Sequence, residues 1–298
     1  MVRLNYRWRG AISALVSATL LLLSSEAPAA TYLYRLRVTF LALDRGEATL
    51  VETPGEHALL LGAGTKAEGP RVVAWLKARG IRKLEGVLLQ TWKDTHMGGA
   101  AAVLRAFPVG QVLTNPSRAE TAESKNLDRV AGALQGSKDL MYSAAIPGDN
   151  HVLNHDPFCQ VTVVSPNETM QRHFQKDPNN SMVLEFRREK MAFLSLGDTQ
   201  LKHQTLLLKQ MEYAPWGQVL RIGQNGAADS LVTSAIKALK TRVAVIPVPR
   251  NSGKRPSPAV LAALRSAGVR VYRTDTQGTI TVLADDRSID VKTGGARL

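Results

Sequence analysis

The sequence predicts a mixed α/β (α+β) fold with four layers, in which two β-sheets pack together and helices cover both outer faces. Apolar strand-like runs alternate with amphipathic helical segments along the chain, a pattern typical of sheets that are covered by helices. Several neighbouring strands are joined by tight turns, as at Pro54-Gly55, and such hairpins exclude a purely parallel sheet. These observations together indicate an αββα sandwich.

The first part of the chain supplies strands and helices in regular order. A helix is indicated where Val72, Val73 and Leu76 fall on one face, and Gly80 is its expected end. The elements that we expect here are strands at 32–43, 48–52, 58–61, 84–89 and 111–113, and helices at 71–79 and 99–107.

The second part begins with residues 117–145, which we expect to be mostly helical, with Gly132 and Gly136 as interruptions. The remaining expected elements are a strand at 160–164, a hairpin of 182–186 with 191–196, a helix at 199–211, strands at 218–222, 243–246 and 269–272, helices at 229–240 and 257–267, and a closing hairpin of 270–273 with 278–283.

The amino-terminal segment has the pattern of a secretory signal peptide. Arg3, Arg7 and Arg9 precede an apolar run at 11–23, and Ala27-Pro28-Ala29 offers a processing site. We therefore expect a signal peptide at 1–29, one domain at 30–298 and a periplasmic or extracellular location. An uncleaved amino-terminal anchor is the alternative. The run is shorter than the ~20 residues of a membrane span, so no stable span is expected in the mature chain.

Composition narrows the classes of partner and chemistry. With 44% hydrophobic and 21% charged residues, the chain has the make-up of a folded protein. Its net charge of +13 favours a polyanion or nucleic acid as partner, although a solvated basic surface is the alternative. Aromatic residues make up only 5%, which leaves little material for stacking nucleic-acid bases. Cys159, the single cysteine, excludes an internal disulfide and is expected to be buried.

One segment carries most of the chemical information: Gln90-Thr91-Trp92-Lys93-Asp94-Thr95-His96-Met97-Gly98-Gly99, between an apolar strand and a small-residue helix start. This layout resembles the metal-binding loop of the metallo-β-lactamase fold, Thr-His-x-Asp-x-Asp-His-x-Gly-Gly. The chain keeps His96, Gly98 and Gly99. At the other ligand positions it has Thr91, Lys93 and Thr95.

The resemblance extends over roughly residues 37–285, to the metallo-β-lactamase-fold domain of the competence (ComEC-type) proteins. Seven segments of this chain are similar, in order, to segments of the family. In this chain they are residues 41–48, 60–64, 179–184, 194–198, 224–227, 251–256 and 272–280. The corresponding family segments read Leu-Asp-Val-Gly-Gln-Gly-Asp-Ala, Leu-Ile-Asp-x-Gly, Asn-x-Ser-Leu-Val-Leu, Leu-x-x-Gly-Asp, His-His-Gly-Ser, Asn-x-x-x-His-Pro and Tyr-x-Thr-Asp-x-x-Gly-x-Ile.

The resemblance implies a hydrolase framework whose metal, zinc or manganese, turns bound water into a nucleophile. Only His96 and Asp198 remain as plausible ligands. Thr hydroxyls and amides bind such ions poorly, and Lys93 has no lone pair to offer. The substituted family positions are Thr91, Lys93, Thr95, Gln224, Asn225 and Arg255, together with the supporting positions Ala42, Gly62 and Glu47.

Two interpretations of this site stay open. In the first, no metal binds, and His96 and Asp198 serve the structure. In the second, one zinc or manganese ion is weakly held by His96 and Asp198, with Asp94 added if the loop bends. Because an unpaired carboxylate in a cleft is costly, we predict that the Lys93 ammonium lies within ~4 Å of the Asp198 carboxylate.

Other groups of polar residues give weaker indications of a functional site. His151, His155 and Asp156 lie close in sequence, but their Gly- and Pro-containing surroundings indicate a surface loop. Ser195 and Ser230 lack neighbouring His–Asp partners, so a serine hydrolase is unsupported.

Three candidate functions follow from the sequence: a non-catalytic binding or structural module, a metal-dependent hydrolase of phosphodiesters or nucleic acid, and a DNA-binding accessory that does not cut.

Overall fold

Two β-sheets form the centre of the protein. The computed structural model describes residues 35–135, 140–146, 156–166, 181–207, 218–250 and 252–298. The expected signal peptide, His151, His155 and the Asn179-Asn180 pair of one family segment lie outside the described residues, as does Asn251 of another. Residues 36–298 group into one compact unit.

The larger sheet has eight strands in the spatial order β14-β13-β1-β2-β3-β4-β5-β6. Its strands are β1 (Leu36–Phe40), β2 (Thr49–Glu52), β3 (Ala58–Leu61), β4 (Leu84–Leu89), β5 (Val109–Thr114), β6 (Met141–Ala144), β13 (Thr279–Ala284) and β14 (Ile289–Gly295). Strands β3 to β6 pair in parallel, whereas β1 pairs antiparallel with both β2 and β13.

The smaller sheet has six strands in the order β12-β11-β10-β9-β8-β7. Its strands are β7 (Gln160–Ser165), β8 (Val183–Arg188), β9 (Met191–Ser195), β10 (Gln218–Arg221), β11 (Thr241–Ile246) and β12 (Arg270–Arg273). Strands β7, β8 and β9 form antiparallel pairs, and β9 to β12 run parallel. The hairpin expected from residues 182–196 is therefore present.

Helices connect the strands. The described α-helices are α1 (Gly69–Ala78), α2 (Asp94–Met97), α3 (Ala100–Ala106), α4 (Ala122–Gln135), α5 (Leu201–Leu207), α6 (Thr233–Ala238), α7 (Pro258–Ser266) and α8 (Thr274–Gln277). Proline lies in the first turn of both α1 and α7, where its missing N–H costs no hydrogen bond.

Three apolar clusters show the layering. The first lies between the sheets, where Phe193 stacks on Phe186 and meets the edge of Phe40 from the larger sheet. The second joins the larger sheet to α1, α3 and α4, and the third joins the smaller sheet to α5, α6 and α7. Each sheet is thus buried on both faces, which confirms the predicted four-layer αββα sandwich. Cys159 is buried in the central cluster, and burial raises the pKa of its thiol.

Three sequence expectations were wrong. Residues 141–144 form strand β6 rather than helix, and Gly132 lies inside α4 without interrupting it. The expected closing hairpin does not form, because β12 belongs to the smaller sheet and β13 to the larger one. The short helix α8 carries the chain from one sheet to the other. Residues 289–295 add an edge strand, β14, that the sequence pattern did not reveal.

Among the residues that the structure describes, no helix combines the length and the apolar character that crossing a bilayer requires.

Candidate functional site

A cleft of about 270 Å³ lies where several loops meet at the ends of the two sheets. The loops that follow β4, β9, β10 and β11 all contribute, at the carboxyl ends of parallel strands, where open α/β sheets usually bind ligands. The cleft is lined by Gly46, Glu47, Lys93, Thr95, His96, Asp198, Gln224, Asn225, Pro249 and Arg255.

Backbone hydrogen bonds hold the larger-sheet side of the cleft. Glu47 N donates to Thr95 O at 2.9 Å, and Ala63 N donates to His96 O at 2.6 Å. Gly46 has a φ of 82°, and a β-carbon there would lie 2.2 Å from Thr95 O. A side chain at this position would therefore separate the two loops and displace Glu47 from His96.

Gln90 connects this side to the smaller sheet. Its side-chain amide donates to Met182 O at 2.7 Å and to Ser195 O at 3.1 Å, and its Oε1 accepts from Ser195 Oγ at 2.8 Å. All three residues are buried, so these bonds are shielded from water. Gln90 therefore fixes the start of the loop that carries Lys93 and His96, a positioning role that its sequence context did not indicate.

Asp198 is the polar centre of the cleft floor. Its Oδ2 lies 2.9 Å from Lys93 Nζ and 3.4 Å from His96 Nε2, and its Oδ1 accepts from Gln224 N at 3.1 Å. The Lys93–Asp198 contact that the sequence predicts is thus present. Burial by itself raises the pKa of Asp198, but the charge and hydrogen bonds of His96 and Lys93 outweigh it. The net pKa lies well below the usual range, and the carboxylate stays ionised.

A second ion pair lies beneath the first. Arg221, at the end of β10, donates to the Glu47 carboxylate and, at 3.1 Å, to Gly197 O. Both charged side chains are buried. Burial lowers the pKa of Arg221 to about 10, still far above neutral, so the guanidinium remains charged. Sequence reasoning missed this pair, although a charged residue inside the apolar strand at 218–222 requires a buried partner.

The turn that replaces the family's paired histidines has an unusual backbone. Gln224 and Asn225 have φ of 50° and 54°, and Gly226 follows with 72°. Left-handed conformations are costly for residues other than glycine and tend to persist at functional sites. Here the turn directs Gln224 N to Asp198 Oδ1 and Gln224 Nε2 to Asp198 O, the latter at 2.9 Å.

The predicted site residues separate into two groups. Lys93, Thr95, His96, Asp198, Gln224 and Asn225 line the cleft together, as does Arg255. Thr91 does not line it; this residue is buried, and its Oγ1 accepts from Lys93 N at 3.4 Å. Asp94 lines a separate depression with Arg45 and Lys66, so it does not add a third ligand to His96 and Asp198.

Three side chains offer donor atoms for a metal ion. Donor atoms of Glu47, His96 and Asp198 all lie within 4.8 Å of one another. Glu47, which the sequence suggested only as a supporting residue, thus joins the two expected ligands. Both carboxylates, however, already face a side-chain cation: Arg221 at Glu47 and Lys93 at Asp198. A metal ion at these donors would therefore meet the repulsion of two side-chain cations.

Two curated proteins are similar in sequence to this chain. ComE operon protein 3 of Bacillus subtilis is 23% identical over 222 residues, covering 70% of this chain and 26% of that protein. Recombination protein 2 of Haemophilus influenzae is 24% identical over 252 residues, covering 83% of this chain and 28% of that protein. The chain therefore spans little more than a quarter of the length of either relative. No family model matches the chain.

Solved structures with similar folds include several metal-dependent enzymes. Igni18, a metallo hydrolase of Ignicoccus hospitalis, has 16% identity and a TM-score of 0.49, covering 82% of this chain and 98% of its own. A diphosphatase of the PhnP family has 11% identity and a TM-score of 0.45, covering 79% and 94%. The αββα layers and the sequence matches together place this chain in the metallo-β-lactamase fold, as a protein similar to the ComEC-type competence proteins.

Proposed function

We propose that the chain is an exported, non-catalytic binding or structural module that keeps a hydrolase framework without its metal. The observation that carries this proposal is the 2.9 Å contact between Lys93 Nζ and Asp198 Oδ2. The ammonium occupies space beside one of the few remaining metal-binding groups. A divalent ion ~4 Å from this ammonium would be repelled by about 8 kcal/mol at an effective dielectric constant of ~20.

The second ion pair supports the same proposal. Arg221 neutralises Glu47 inside the protein, where solvent does not screen the charges. A metal at the Glu47, His96 and Asp198 donors would compete with two cations, one of them fully enclosed. Three protein ligands suffice for a catalytic zinc site only when their lone pairs are available to the ion.

A metal-dependent hydrolase is the second candidate, because donor atoms of Glu47, His96 and Asp198 converge within 4.8 Å. In that case one zinc or manganese ion would bind there, and the substrate would be a phosphodiester or nucleic acid.

Metal analysis and one enzyme assay separate these two candidates. We expect metal far below one ion per chain after purification without chelators. With bis(p-nitrophenyl) phosphate and added Zn²⁺ or Mn²⁺, His96→Ala should leave the background rate unchanged. His57→Ala is the matched control, because His57 lies outside the cleft beside Glu85. Near-stoichiometric metal and a hydrolysis rate that only His96→Ala abolishes would refute the non-catalytic proposal.

A polyanion, with DNA foremost, is the proposed partner. The net charge of +13 and the similarity to two competence-type proteins support it. We expect binding to duplex DNA that weakens steeply as salt concentration rises, because counterion release dominates such contacts. Equal affinity for heparin at every salt concentration would argue against a DNA-specific role.

Export is tested separately, by fusing residues 1–29 to alkaline phosphatase, which is active only outside the cytoplasm.

A further inference from the structure

The charged groups of the cleft lie at two depths. The carboxylates are at the floor, where the Asp198 side chain is only 4% exposed and Glu47 is equally buried. The cations Lys93, with 38% of its side chain exposed, and Arg255 are at the rim. A molecule that enters the cleft therefore meets the cations before it meets the carboxylates.

The floor presents little net charge to such a molecule. Glu47 is neutralised by Arg221, and Asp198 is contacted by Lys93, His96 and the backbone N–H of Gln224. The Arg221 side chain is only 3% exposed and offers a ligand almost no surface, but its charge offsets the carboxylate beside it. With the floor compensated, the charge of Arg255 is unmatched within the cleft lining, and the accessible potential is positive.

The rim also provides hydrogen-bond donors. Arg255 Nη1 donates to Gln224 O at 2.6 Å, which anchors the guanidinium beside the cleft and leaves it further N–H donors. Lys93 adds an ammonium, and Thr95 and Asn225 add a hydroxyl and an amide to the same lining. A guanidinium with an ammonium is a donor set that suits phosphate oxygens.

We propose that this cleft binds a terminal phosphate group, as the dianion, between Lys93 and Arg255 and without a metal. A terminal phosphate offers three unsubstituted oxygens to the donors of the rim, whereas a carboxylate or a phosphodiester offers two. The proposal rests on the proposed function, because a metal ion resident on the floor would compete with Lys93 and Arg255 for the phosphate. The phosphate can come from free phosphate or from the end of a larger molecule.

The test is a calorimetric titration of the full chain with inorganic phosphate at fixed ionic strength, after treatment with a chelator. We expect saturable binding, with dimethyl phosphate and acetate at least tenfold weaker. Arg255→Gln should weaken phosphate binding at least tenfold, because the guanidinium is lost while an amide remains. Lys254→Gln is the matched control: the residue is exposed, precedes Arg255 and lies outside the cleft lining, so we expect less than a twofold effect.

Each alternative outcome overturns the proposal. Absence of saturable binding refutes the site, and equal affinity for dimethyl phosphate refutes the dianion. Equal losses in the two variants would show that only the overall charge attracts phosphate. Thermal unfolding of both variants verifies that they are folded. A titration with a 5′-phosphorylated against a 5′-hydroxyl oligonucleotide distinguishes a strand end from free phosphate as the source.

The result is separable from the metal test. If the untreated protein contains metal and hydrolyses bis(p-nitrophenyl) phosphate, the non-catalytic proposal fails, whatever the titrations show. If no metal is found but Arg255→Gln binds phosphate as tightly as the natural chain, the phosphate proposal fails alone.

Discussion

The two ion pairs in the cleft have opposite polarity and different surroundings. In the upper pair the cation, Lys93, comes from the larger-sheet side and is partly exposed, whereas its carboxylate, Asp198, comes from the smaller sheet. In the lower pair the carboxylate, Glu47, comes from the larger-sheet side, and Arg221 comes from the smaller sheet. The two sheets are thus joined by one ion pair that water reaches and by one that it does not, so the two pairs should differ in energy.

The largest effect is expected from Arg221→Met. This change leaves the Glu47 carboxylate buried without its cation, and loss of one partner of a buried pair costs about 3–5 kcal/mol. Urea unfolding measures the loss. Arg250→Met, at an exposed position, should change the free energy of unfolding by less than about 0.5 kcal/mol. If Glu47→Gln/Arg221→Met is no more stable than Arg221→Met alone, the unpaired charge is not the cause.

A smaller loss is expected from Lys93→Met. Asp198 keeps the contacts with His96 and Gln224 N, and Lys93 is partly screened by solvent, so the cost should be about 1–2 kcal/mol. The same urea titration gives the value. A loss as large as that of Arg221→Met would contradict the difference in burial between the two pairs.

The effect that is smallest at neutral pH is that of acid, because it begins only below pH ~4. Because the folded-state pKa of Asp198 is depressed, its contribution is present above the unfolded value of ~3.9 and is lost as pH falls towards the lower folded value. The free energy of unfolding should therefore decline below pH ~4 more steeply than in Asp198→Asn, by up to about 1.4 kcal/mol per pH unit. Parallel acid limbs in the two proteins would contradict the assignment.

The sequence anticipated the upper pair but not the lower one, for a physical reason. Lys93 and Asp198 occupy recognisable family positions, so their proximity followed once the fold was predicted. Glu47 and Arg221 are 174 positions apart, and Arg221 lies outside any motif. The charge of Arg221 inside an otherwise apolar strand indicated that a buried partner exists. It does not identify which carboxylate is that partner.

The fold was predictable for a similar reason, with exceptions at the edges. Buried strands such as β3 carry continuous apolar runs that fix their positions, and the layers follow from them. Strand β6 lies at a sheet edge and is mostly exposed, so its residues carry no burial pattern. Whether β12 pairs with β13 depends on which sheet each strand joins, and strand patterns alone do not contain that information.

In the two pairs, the cation and the carboxylate come from opposite sheets. This arrangement also affects which substitutions such a protein can accept during evolution. Loss of Lys93 or of Arg221 alone strips a carboxylate of its counter-charge before any ligand for a metal has been gained. A lineage in which this cleft came to bind a metal would have to pass through a less stable intermediate, or alter several positions together. Under the non-catalytic proposal, the two ion pairs therefore hinder the gain of a metal site by single substitutions.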